Sequence, residues 1–106
     1  MDKQSIKTLQ EFNEDKFTKR VIYNNDSSTA FVLNFLPGQK LPAHKHPSAE
    51  VYLFVVSGNG TMIIDGKETE VTETDVIHTS DEEELSFANT SSDRVSLYVV
   101  LNKLSK

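Results

Sequence analysis

Gly38-Gln39-Lys40-Leu41-Pro42-Ala43-His44-Lys45-His46-Pro47-Ser48-Ala49-Glu50, running on through Val51-Tyr52-Leu53-Phe54-Val55-Val56 to Ser57-Gly58-Asn59-Gly60, is the stretch that decides the fold. Prolines at 37, 42 and 47 exclude a helix here, because each lacks a backbone donor and turns the preceding residue away from helical geometry. The histidines therefore sit on extended or loop backbone. Being two residues apart, His44 and His46 leave the same face. Glu50 shares their parity and joins them if the strand continues unbroken. Two imidazoles and a carboxylate on one face form the donor set of an Fe(II) facial triad or a three-ligand zinc site. The chain has no cysteine, so a first-row metal must be held by His, Asp or Glu. The alternative is a metal-free pocket in which two neutral histidines exchange hydrogen bonds.

Short β-rich segments surround this stretch. Residues 17–23 and 29–36 are rich in β-branched and aromatic side chains, and Asn24-Asn25-Asp26-Ser27-Ser28 between them reads as a turn. Downstream, 61–64 and 67–71 flank Asp65-Gly66, a hairpin signal because a type I′ turn needs positive φ at both central residues. Segments 75–78, 85–89 and 95–101 complete a series at roughly ten-residue spacing, which predicts an all-β antiparallel barrel or sandwich. Ile6, Leu9, Phe12 and Phe17 have a loose helical spacing that fits a short helix or an irregular arm over the barrel equally well. The expectation is one domain over residues 1–106, with an arm at 1–16 and the barrel at 17–102.

Composition narrows the function classes. The apolar fraction of 37% supports a modest core, and the longest apolar run, 51–56, falls far short of the roughly 20 residues of a membrane span. A net charge of -5 with scattered basic residues argues against a nucleic-acid partner, whose phosphates need clustered positive charge. Met1-Asp2-Lys3-Gln4-Ser5 has no basic, apolar leader, so a cytoplasmic location is expected.

Gly38-x5-His44-x-His46-x3-Glu50 with the following aliphatic and aromatic run and Ser57-Gly58-Asn59-Gly60 resembles the first motif of the cupin superfamily. Asp75-Val76-Ile77 through Ser86-Phe87-Ala88-Asn89 is similar to the second, so the resemblance spans about 31–100. It implies a small antiparallel barrel or jelly roll (a double-stranded β-helix), frequently homodimeric, with an internal pocket and often one divalent metal such as Zn, Ni, Fe or Mn. Two departures stand out. In the family pattern six residues separate the glutamate from the glycine, whereas seven separate Glu50 from Gly58. The extra residue must enter a bulge or a longer turn, and a slip by one would reverse the inward set. The family's second-motif histidine, four residues before its asparagine, is replaced by Leu85, and its Pro-x-Gly turn by Ser80-Asp81-Glu82.

The resemblance makes His44, His46 and Glu50 the candidate metal ligands. His78 is an additional candidate whose direction depends on where its strand ends. Tyr52, Phe54, Leu85 and Phe87 are expected to line the pocket, although barrel aromatics also serve simply as core. Met62 reads as core filler, Asn89 as a turn-fixing residue, and Asp81-Glu82-Glu83-Glu84 as a solvated loop in preference to a cation site. Three functions stay open: a metal-dependent oxygenase, isomerase or lyase acting on a small polar metabolite; a metal-free, non-catalytic barrel that binds or senses a small ligand such as a sugar or carboxylic acid; and a barrel that works through its surface or as a dimer.

Overall fold

A computed structural model describes residues 1–104 as two antiparallel sheets packed face to face. A 3-10 helix, Ile6–Leu9, precedes nine strands: β1 Thr18–Asn24, β2 Ser28–Phe35, β3 Lys40–Lys45, β4 Ala49–Ser57, β5 Asn59–Ile64, β6 Lys67–Thr72, β7 Val76–Thr79, β8 Glu84–Ala88 and β9 Val95–Lys103. One sheet has the order β1-β2-β9-β4-β7 and the other β3-β8-β5-β6. This is the expected all-β jelly roll. Among the described residues no helix is long and apolar enough to cross a membrane.

Alternation along each strand sends one residue set between the sheets. From β4 these are Ala49, Val51, Leu53 and Val55, which meet Phe31, Leu33 and Phe35 of β2 and Leu97 and Val99 of β9 in one core with Met62, Leu85 and Phe87 from the other sheet. Phe35 is fully buried, 5.2 Å from Phe17 and 4.9 Å from Phe87 between ring centroids. Each of these side chains larger than alanine contributes about 1.5–3 kcal/mol on burial, which is why strand phase is strongly specified here.

Turn chemistry follows the sequence. Asp65 and Gly66 both take positive φ, 53° and 79°, as a type I′ hairpin requires. Asn89 is buried, and its amide donates to the carbonyls of Phe35 and Asp93 while its oxygen accepts from Ser91. It fixes the β8–β9 turn. Where the Pro-x-Gly turn of the resemblance is missing, the Glu83 carboxylate closes the loop by accepting from Ser80 N at 2.9 Å and Ser80 Oγ at 3.2 Å. That carboxylate is employed in structure.

The segment between the 3-10 helix and β1 is an irregular arm tied to the outer surface. The side-chain amide of Asn34, fully buried, donates to Leu9 O at 2.8 Å and Thr18 Oγ1 at 3.1 Å and accepts from Ser96 Oγ at 2.7 Å. Gln10 Nε2 adds a bond to Ser96 Oγ, and Gln39 Nε2 holds Asn13 O.

Gly58 lies between β4 and β5 with φ 83°, and a Cβ there would overlap the Arg94 carbonyl oxygen and reach 2.8 Å from the Val95 side chain. Both the left-handed backbone and the contact exclude a side chain. Gly58→Ala is expected to destabilise the fold by at least about 2 kcal/mol, beyond the ~1 kcal/mol of an ordinary substitution. Urea denaturation measures it, and a loss under ~0.5 kcal/mol would contradict this account.

Candidate functional site

β3 bends as it delivers the histidines. Leu41 pairs with Phe87 and His44 with Leu85, so three residues on β3 span two on β8 and a bulge lies at Pro42 and Ala43. The bulge turns Pro42 O toward the ring of His44, whose Nδ1–H donates to it at 2.8 Å. This leaves His44 Nε2 as the lone-pair nitrogen, 3.0 Å from His46 Nε2, which donates its proton to it. The rings lie 4.4 Å apart at 60°.

Beyond His46 the chain changes phase. Pro47-Ser48 forms a turn closed by Ala49 N donating to His46 O at 3.2 Å, with Ser48 at φ 60° and its carbonyl held by Leu104 N. The unbroken strand that would align Glu50 with the histidines does not exist. Ala49, Val51, Leu53 and Val55 therefore face inward, and Glu50, Tyr52 and Phe54 face outward. On that outer surface the Glu50 carboxylate lies 3.3 Å from His78 Nε2, and the His78 ring sits 4.9 Å from that of Tyr52, its register partner.

The histidines open onto a cavity of about 320 Å³ between the sheets, at the small end of ligand pockets. Its walls are Phe17, Phe31, Leu33, Val51, Leu53 and Leu85, continued by Leu41, Val99 and Leu101, and its polar groups are Lys19, His44 and His46. Leu85 is one of its lining residues. Phe87 is in the core beside Phe35, where it backs an outer groove between β3 and β5. Tyr52, Phe54, Glu50 and His78 do not reach the cavity.

Two of the wall residues carry information missed in the sequence. With the six-residue spacing of the resemblance between glutamate and glycine, the glutamate's place before Gly58 falls on Val51. Leu85, in the place of the second-motif histidine, faces His44 across the β3–β8 pair. Lys19 enters from β1, its ammonium 4.4 Å from the Phe31 ring centroid. Its one signal in the sequence is its alternation with Phe17 and Val21.

Electrostatics at the mouth is one-sided. Burial, with His44 and the Lys19 ammonium adding to it, holds the His46 imidazole below its ordinary value of 6.5. Among the described residues no three His, Asp or Glu side chains converge as a metal-binding group. Two imidazole nitrogens beside an ammonium, with valine and leucine in the remaining ligand places, do not fit a three- or four-ligand divalent centre.

Comparisons agree with this architecture. Residues 31–101 match the family model described as Cupin domain, and the chain belongs to the cupin family. No curated protein matches it in sequence. Among solved structures it is similar to the protein TT1209 from Thermus thermophilus, with a TM-score of 0.92 at 18% identity over 99% of this chain and 100% of that one. A conserved double-stranded β-helix protein from Klebsiella pneumoniae superposes with a TM-score of 0.91 at 17% identity, covering 97% of this chain and 90% of its own. For an RmlC-like cupin from Desulfovibrio desulfuricans the values are 0.87 and 18%, with 96% of each chain covered. At these identities the likeness is one of fold.

The missing ligands can be supplied. Val51→Glu with Leu85→His is expected to create a 1:1 site for Ni(II) or Zn(II) at least about a hundredfold tighter than the unmodified chain. Calorimetry at pH 7.5 reads the difference. A folded double variant that binds no better than the parent would refute the assigned places of Val51 and Leu85.

Proposed function

We propose that this protein is a small-ligand-binding cupin barrel that encloses the largely apolar body of a small molecule and works without a metal centre built on His44, His46 and Glu50. The observation that carries this reading is the replacement of both remaining ligand places by cavity-facing Val51 and Leu85. A carboxylate at 51 would sit among Leu53, Leu85 and Val99 and cost several kcal/mol unless a metal or hydrogen bonds compensated it. Valine costs nothing of the kind and offers a ligand dispersion contacts and dry surface. A metal-dependent oxygenase, isomerase or lyase needs a donor set that these side chains do not supply, so the binding barrel is preferred.

An uncharged apolar probe tests it. Octan-1-ol is expected to bind 1:1, shift the methyl resonances of Val51, Leu53, Leu85 and Val99, and at tenfold excess over Kd stabilise the fold by about 1.4 kcal/mol. That corresponds to a rise of roughly 5 °C in Tm. Unmoved methyl resonances at those four residues would defeat the reading.

A second observation favours a homodimer. On the outer face of β4 and β7, Val76 is 69% exposed and Tyr52 44% exposed, with Phe54 beside them. A contiguous apolar patch on a sheet face suits self-pairing across a two-fold axis. Sedimentation equilibrium is expected to give a dimer that Val76→Glu shifts toward monomer at least tenfold. A chain that sediments as a monomer at about 100 µM, which corresponds to a self-association weaker than roughly −5.5 kcal/mol, would end this proposal.

A further inference from the structure

The mouth of the cavity is basic. Lys19, His44 and His46 are its polar side chains, and among the described residues no Asp or Glu lines it. The Lys19 ammonium is held toward the opening by its contact with the Phe31 ring, a wall residue of the same cavity. Among the described residues the carboxylate contacts of basic side chains are those of Arg20 with Glu11 and of His78 with Glu50, so Lys19 has no carboxylate partner there. Glu11 goes to Arg20, on the opposite face of β1.

An unpaired cation at the rim of an apolar cavity attracts an anion and repels a metal ion. The histidines reinforce this. His44 is fixed by Pro42 O, and the hydrogen bond between the two Nε2 atoms can open so that His46 Nε2–H donates to an incoming oxygen. One ammonium plus one imidazole N–H suits a single negative charge spread over two oxygens, while the aliphatic floor formed by Leu33, Leu53, Leu85 and Val99 accepts hydrocarbon.

We propose that the cavity mouth is an anion subsite in which the Lys19 ammonium and the His44–His46 pair receive the carboxylate of a small monocarboxylic acid whose hydrocarbon part fills the cavity. This rests on the binding-barrel reading above and adds the ligand's head group to it.

Octanoate, octan-1-ol and octylammonium separate the two levels of the proposal, since they share a chain and differ in charge. Calorimetry on the full chain at pH 7.5 is expected to show octanoate binding about tenfold more tightly than octanol, the size of one charge-assisted hydrogen bond, and octylammonium most weakly. Lys19→Met is expected to bring the octanoate-to-octanol ratio close to one, and Lys19→Glu to place octylammonium ahead of octanoate. Lys19 is solvent-exposed on the edge strand β1, so these variants are expected to fold, and the three-probe ranking of the unmodified chain stands as evidence without them. If octanol and octanoate bind the unmodified chain equally, or Lys19→Met leaves their ratio unchanged, the anion subsite is overturned and the apolar cavity survives. If neither probe moves the methyl resonances of Val51, Leu53, Leu85 and Val99, the cavity reading falls and this inference with it.

Discussion

The phase of β4 governs everything in the interior, and it is set by two residues. Pro47 cannot donate to a ladder, and Ser48 adopts a left-handed backbone that an L-residue takes only when its surroundings compensate. The compensation is visible: Ala49 N bonds back to His46 O, and Leu104 N, at the end of β9, bonds to Ser48 O. From that turn onward β4 lies between β9 and β7 with Val51, Leu53 and Val55 almost fully buried. The opposite phase would put Glu50 and the Tyr52 hydroxyl among those aliphatic walls at several kcal/mol each. The turn therefore separates the histidines, which look in, from the glutamate, which looks out.

Charge in the molecule is sorted accordingly. The chain is acidic overall, yet among the described residues its cavity has a basic rim and no acid in its lining. Glu50 is engaged with His78 on the outer surface, and Glu83 closes its own loop. Low-dielectric walls of leucine and valine screen a rim charge less than water does, so the Lys19 ammonium acts on anything entering the cavity more strongly than a lysine on an open surface would. Its neighbour His46, whose charged form is disfavoured by burial and by His44 and Lys19 beside it, offers a ring N–H at the same mouth.

Much of this is legible in the sequence because it depends on local chemistry. Asp65-Gly66 and Asn24 to Ser28 mark hairpins, the three prolines keep the histidines off a helix, and Asn89 reads as a turn-fixing residue through its likeness to the closing asparagine of the cupin second motif. Leu85 is recognisable as occupying a ligand's place. Parity puts Glu50, Tyr52 and Phe54 on the wrong face, all for one reason: it is carried from His46 through a proline turn that does not preserve it. Counting from Gly58, which is pinned by its contact with Arg94 O, leads instead to Val51. Lys19 cannot be found this way, because its importance comes from β1 closing over the cavity, a pairing between distant segments that no short motif encodes.

The arm held by Asn34 divides the outer surface of the five-stranded sheet. Its bonds to Asn34, Ser96 and Gln39 occupy the end near β1, β2 and β9 with the chain's own backbone, so that end is already covered. What is left uncovered is the β4–β7 side, where β7 is a four-residue edge strand with exposed Val76 and the Glu50–His78 pair. The molecule thus has a closed flank and an open one. Anything that docks on this sheet must come from the open flank, and in doing so it touches the same strand whose other face forms the cavity wall at Val51 and Leu53. Occupancy inside and contact outside are separated by the thickness of a single strand.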